Sequence, residues 1–172
     1  MGLRGLLKEN RERILNNWFE AIINTYPEET VKFLKNTKDK FHNPVGQTIK
    51  EGIEGILNEL IGEGETDKIT PFLDRIIRVR AIQDFTPSEA VAFIFKLKEI
   101  VRAELNSQAL QNEELRWFDN KIDELALKTF DIYMSCREKI YELRATELRN
   151  WTYKLLERAN LLAEGEDNFK IK

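Results

Sequence analysis

The feature that most constrains this chain is an absence of punctuation. From Gln111 to Glu164 there is neither glycine nor proline, the two residues that most often end or bend a helix. That leaves about 50 residues of uninterrupted helical pattern, well beyond the 8–20 typical of globular helices. At roughly 1.5 Å per residue such a helix spans about 75 Å. It outruns any domain that 172 residues can build. The fold is therefore framed by one very long C-terminal helix.

The apolar residues of this helix change character along its length. Leu115, Phe118, Ile122, Leu125, Ile132 and Cys136 recur at a spacing that can close a domain core. Further on, Tyr141, Leu148, Leu155 and Leu162 recur every seven residues, with Ala145, Thr152 and Ala159 between them at coiled-coil spacing. Around them Arg137, Glu142, Arg144, Glu147, Arg149 and Glu157 alternate in sign, as solvated flanks do. The expectation is a homodimer seam with large residues at one position and small ones at the other. The competing reading folds the helix back on its own domain. The organisation that follows is a helical core over residues 1–136, a coiled-coil-like extension over 137–162 and a tail over 163–172, one domain overall.

Ahead of the long helix the pattern predicts five more helices and no strand, hence an all-α, six-helix bundle. The first covers Leu3 to Thr25, with Leu7, Ile14, Trp18, Phe19, Ile22 and Ile23 at helical spacing and Pro27 at its end. A short helix with Val31, Phe33 and Leu34 follows Pro27, and "NTKDKFHN" reads as a loop. Asn43-Pro44 reads as N-cap and first helical residue of a helix that "GEGE" stops near Gly62. A fourth runs from about Asp67 to Gln83. A fifth starts at "TPSE", where Thr86, Pro87 and Glu89 form a capping box, and reaches about Leu105.

Composition removes several classes of function. Net charge is −3, with Lys and Arg interspersed among acids, so a nucleic-acid footprint is not indicated. No apolar run approaches the roughly 20 residues that span a bilayer. The N-terminal "MGLRGLLKENRERIL" is charged throughout, without a signal-peptide core. Leu6 stands where the myristoylation pattern needs Ser or Thr. Cys136 is the single cysteine, which excludes an intrachain disulfide and fits a reducing compartment. These features point to a cytoplasmic protein without direct membrane insertion.

No catalytic, cofactor or metal set emerges. His42, the single histidine, lies in "FHNP" beside a helix start, where a loop or cap role fits better than haem ligation. One His and one Cys supply neither a His/Cys metal cluster nor a nucleophile–base pair. "GEGE" is acidic and would repel phosphate, and Glu51 and Glu54 in "EGIEG" read as solvated charge. Cys136 reads as a small buried hydrophobe, and Trp18, Trp117 and Trp151 as packing residues.

The stretch "DRIIRVRAIQDF" places three arginines in an apolar run. Leu73, Ile76 and Ile77 share a helix face, and Arg80 falls on it by i+3, i+4 and i+7 spacing, while Arg75 and Arg78 lie on the other side with Asp74. A guanidinium aimed at an apolar face must be paired or bind an anion. Asp84, four residues on, is one candidate partner and Asp131 of the long helix another. An anionic small-molecule ligand is the alternative.

The same region carries a family resemblance. "RVRAIQDFTPSEAVAFIF", "NWFEAIINTYPEETVKFL" and "DKFHNPVGQTIKEGIEGIL" resemble the N-terminal domain family of RsbRD-type RsbT co-antagonists, the sensory halves of stressosome-like regulators. The resemblance implies a non-enzymatic, all-helical sensory or interaction domain. Related domains look globin-like without haem and dimerise through a long C-terminal helix. The co-antagonists continue into a phosphorylatable STAS domain, so a chain ending at Lys172 is expected to be a stand-alone copy, for which the antagonist function does not carry over. Similar stand-alone copies in anaerobic sulfate-reducing bacteria sit near genes for membrane redox complexes. That makes an accessory protein docked on a larger complex the alternative to a sensor. A sensor is expected to enclose a pocket lined partly by the helices of Asp67–Gln83 and Thr86–Leu105, and a docking protein to expose an apolar patch.

Overall fold

The computed structural model describes residues 2–35, 42–83, 85–105 and 112–161. These form eight helices and no strand: α1 (Leu3–Glu9), α2 (Arg11–Ile23), α3 (Glu28–Leu34), α4 (Pro44–Ile61), α5 (Thr66–Ala81), α6 (Pro87–Val91), α7 (Phe93–Glu104) and α8 (Asn112–Arg158). The chain is all-α, with 47 residues in its last helix.

Two of the predicted helices are divided. The first breaks at Asn10, whose side-chain amide donates to the Leu6 carbonyl at 3.0 Å. A short polar side chain thus competes with the backbone for a helical acceptor. The segment from Pro87 to Glu104 breaks at Ala92, where the Phe95 N–H bonds to the Ala92 carbonyl three residues back and tightens the turn. The end of the long helix also differs from the expectation at Gly165. Asn160 takes φ 51°, and the Leu161 and Asn160 N–H groups bond back to the Leu156 and Glu157 carbonyls. This is a Schellman ending with asparagine in the left-handed position. Ala159 therefore lies beyond the helix, and Leu162 lies outside the described residues.

The caps at the other helix starts follow local chemistry. The Asn43 side chain accepts from the Gly46 N–H at 2.9 Å, with Pro44 first in α4. Thr86 and Glu89 close a capping box in both directions at α6.

Two compact units are distinguished, Met1–Cys136 and Arg137–Lys172. In the first, α4 packs along α5, α2 packs against α7 and α4, and α1 lies on α4. Glycines set the closest approach: a Cβ at Gly52 would lie 2.6 Å from the Ile76 side chain, and one at Gly55 would collide with the Phe72 ring. Ile14, Trp18, Ile53, Leu57, Leu73 and Ile77 are wholly buried between these helices. The proximal part of α8 closes the core with Phe118, Ile122, Leu125 and Tyr133. Ion pairs Lys98–Asp123 and Arg102–Asp119 line α7 up beside it. Cys136 is partly buried against this core. In the second unit Tyr141, Leu143, Leu148, Trp151, Leu155 and Leu156 are exposed. Trp151 is thus not the packing residue expected of it, because no described residue covers its side of the helix.

Candidate functional site

The chemistry of the first unit gathers where α2, α5, α6 and α7 meet. Arg80, near the end of α5, is 0% exposed. Its neighbours in sequence differ: Arg75 and Arg78 are exposed, and Arg78 pairs with Asp74 at 2.6 Å. The helix phase makes this division, since position 80 lies on the stripe of Leu73, Ile76 and Ile77.

The expected carboxylate is not what receives the guanidinium. Asp131 is exposed, Asp84 lies outside the described residues, and no carboxylate among the described residues pairs with Arg80. Three aromatic rings surround it instead. The guanidinium carbon lies 4.1 Å from the Phe85 centroid, 5.6 Å from Tyr26 and 6.0 Å from Phe93, within the range at which a ring face attracts a cation. One NH₂ donates to the Glu89 carbonyl at 3.0 Å, and both reach Thr25 Oγ1 at 3.4 Å. The Nε–H has no hydrogen-bond partner among the described residues.

Each ring is itself held. Tyr26 meets Phe85 edge to face at 5.1 Å and donates its hydroxyl to Gln83 Oε1 at 2.8 Å. Phe93 stacks on Trp18, whose indole N–H donates to the Phe93 carbonyl at 2.7 Å. The Tyr133 hydroxyl of α8 donates to the Phe85 carbonyl at 3.1 Å. The corner is therefore tied to the proximal part of the long helix.

Burial pushes the Arg80 pKa down, against the raising influence of Tyr26 and of the Glu89 carboxylate. Burial pushes Tyr26 up, with Arg80 opposing. Both directions mean that water is the missing stabiliser, replaced only in part by rings and a carbonyl. The Glu89 carboxylate is held below its ordinary range by the Thr86 N–H and hydroxyl.

Tyr26, Phe85 and Phe93 were not readable as partners of Arg80 from helix periodicity, because Tyr26 and Phe85 lie in two connecting segments and Phe93 at the start of α7. One signal does mark Phe85: it precedes the N-cap Thr86, a position where an apolar residue commonly packs back on the domain.

The seam residues Tyr141, Ala145, Leu148, Thr152 and Leu155 all lie on α8 and are exposed. The Thr152 hydroxyl donates to the Leu148 carbonyl, and the Arg137 guanidinium covers the Tyr141 ring at 4.9 Å. Elsewhere, a cleft of about 500 Å³ opens between α2 and α4, lined by Leu15, Phe19, Ile23 and Ile53 together with charged residues that include Lys35 and Lys50. It is not lined by α5, α6 or α7, where the sensor reading expects a pocket. Within the first unit, Phe95, Leu127, Phe130 and Met134 are exposed, Leu127 to 71%. His42 is exposed in a turn. No group of three metal-ligating side chains occurs among the described residues. No helix among them is long and apolar enough to cross a membrane.

The fold places the chain among all-α domains, with Arg80 buried behind three aromatic rings and a long last helix. The chain belongs to the RsbT co-antagonist protein rsbRD N-terminal domain family, whose model matches residues 12–148. That is a family of regulatory domains, and membership suggests a regulatory or sensory role in stressosome-type signalling. An uncharacterized protein of Archaeoglobus fulgidus is 28% identical over 143 residues, which cover 80% of this chain and 84% of that protein. No solved structure matches the chain.

Proposed function

We propose that this protein is a cytoplasmic, non-enzymatic signalling module, dimeric through residues 141–155. In this reading a ligand or protein partner changes the packing around Arg80, and α8 carries the change. The observation that supports it best is the double hold on Phe85: the Arg80 guanidinium lies over its ring at 4.1 Å, and the Tyr133 hydroxyl of α8 bonds its carbonyl at 3.1 Å. A cation with an unpartnered Nε–H is poorly stabilised where it is. A small anion or an acidic partner group reaching it would alter the balance of the corner. Hydrogen exchange tests this. Arg80→Met and Tyr133→Phe should each change amide protection along residues 129–140 as well as around α6. Changes confined to α5 and α6 would overturn the proposal. Dimerisation is tested separately by replacing Leu148 and Leu155 together with Asp. Sedimentation should then report a monomer that keeps most of its helix signal, and a wild type that is monomeric at tens of micromolar would refute the dimer.

A second reading, an accessory protein docked on a larger complex, draws on the exposed Phe95, Leu127, Phe130 and Met134. Lys98–Asp123 and Arg102–Asp119 set α7 and α8 antiparallel, which brings Phe95 level with Leu127. Exposed apolar groups clustered in this way commonly mark interaction sites. If docking is the whole function, Leu127→Glu with Phe130→Glu should abolish binding to the native complex, while Arg80→Met should leave it intact.

A further inference from the structure

We propose that the second copy on the seam runs antiparallel, in one register: Ala145 faces Leu148 of the second copy, and Thr152 faces its Tyr141. The proposal rests on the dimer reading above and adds orientation and register to it.

The first argument is volume. On the exposed side of α8 large residues, Tyr141, Leu148 and Leu155, occupy one seam position, and small ones, Ala145 and Thr152, the other. A parallel in-register pair sets each layer against itself, alternating large on large with small on small. One interhelical distance cannot serve both kinds of layer at interior packing density. The antiparallel pair sets a large residue against a small one in its four central layers, with Leu155 against Glu138 at each end, so the two helices approach evenly along the middle of the seam.

The second argument is charge. Parallel pairing crosses the two flanks, which sets Arg144 against Arg149 of the second copy and Glu138 against itself on the seam; its one attraction is Arg137 with Glu142. Antiparallel pairing sets like flank against like flank. In the proposed register Glu142 faces Arg149 twice by symmetry, and Arg144 faces the ring of Trp151 twice. Trp151 is 61% exposed and free for that contact. Arg137 against Arg158 is the one like-charged pair, and it falls at the ends of the pairing. A shift of one heptad in either direction sets Arg149 against Arg149 or Glu142 against Glu142. Both neighbouring registers are therefore penalised.

Arg149→Glu separates the orientations by sign. In the antiparallel pair it sets two carboxylates together at Glu142 and should weaken the dimer several-fold by sedimentation equilibrium. In a parallel pair it replaces the Arg144–Arg149 repulsion by an attraction and should tighten it. A second measurement is a spin label on Glu157→Cys, an outward position, in a Cys136→Ser background. The two labels should be separated by roughly 30 Å along the axis, at about 1.5 Å per residue, in addition to the width of the pair in the antiparallel register, and by the width of the pair alone, on the order of 20–25 Å, in a parallel pair. A dimer that tightens with Arg149→Glu, or whose labels lie close, overturns the orientation and leaves the dimer standing. A monomeric wild type overturns both.

Discussion

Arg80 offers a test in which charge and volume can be separated. Its nearest ring, Phe85 at 4.1 Å, is worth about 2 kcal/mol to a desolvated cation. The hydrogen bond from the guanidinium to the Glu89 carbonyl at 3.0 Å adds about 1.5–3 kcal/mol. Against these stands the cost of burying an ion without a counter-ion, several kcal/mol in real proteins, and the unpartnered Nε–H. The sign of the pKa change agrees: a base whose folded pKa is lowered carries its penalty at every pH below that value, so the cost is present at neutral pH. The two sides nearly cancel. Arg80→Met keeps most of the volume and removes both sides together, so stability should stay within about 1.5 kcal/mol of wild type. Arg80→Ala also leaves a cavity, and should fall below Arg80→Met by about 2 kcal/mol or more. The large loss that follows from stranding a buried carboxylate is not expected, because no carboxylate among the described residues is paired with Arg80. Denaturant melts followed by circular dichroism measure all of this, with Arg75→Ala as a solvated control that should stay within about 0.5 kcal/mol. If Arg80→Met costs as much as Arg80→Ala, the charge itself holds the corner together, and the balance argued here is wrong.

Thr86→Ala should cost about 1 kcal/mol in the same melts, since it opens the box at the start of α6. Glu89 contributes stability that is fully present above its unfolded pKa and is lost as pH falls through its lowered folded value; Glu89→Gln should flatten the acid side of a melting-temperature profile. Gly55→Ala should destabilise by about 1–3 kcal/mol, because its Cβ meets the Phe72 ring; the gain of about 0.5–1 kcal/mol usual for such a change in an open helix would show that α4 and α5 can separate freely. Tyr133→Phe should cost about 1 kcal/mol through the bond to the Phe85 carbonyl.

Much of the fold is legible locally. Asn43-Pro44 and Thr86-Pro87 announce two helix starts because capping is short-range chemistry, and the gap in glycine and proline announces α8. What escapes local reading depends on competition or on distant partners. Asn10 divides a periodic stretch because its amide has a helical carbonyl within reach. Asn160 ends α8 ahead of Gly165 because asparagine also tolerates the left-handed turn. Gly52 and Gly55 look like weak points in a helix until α5 is laid against them. At the site, spacing puts Arg80 on the apolar face, but a rule that buried charge needs opposite charge points to carboxylates. The rings of Tyr26, Phe85 and Phe93 meet only in three dimensions.

Glu89 belongs to two arrangements at once. Its carboxylate closes the cap on Thr86, and its carbonyl receives the Arg80 guanidinium. The segment between the two residues, 81–88, thereby has a fixed length. An inserted or deleted residue would turn Arg80 away from that carbonyl or pull Glu89 away from the cap, whatever its side chain. Ile82 is exposed, and its identity should drift freely among relatives, but the number of residues between Arg80 and Glu89 should not. At its exposed position Ile82 this connection should tolerate substitution as surface does, while towards insertion it should behave as core.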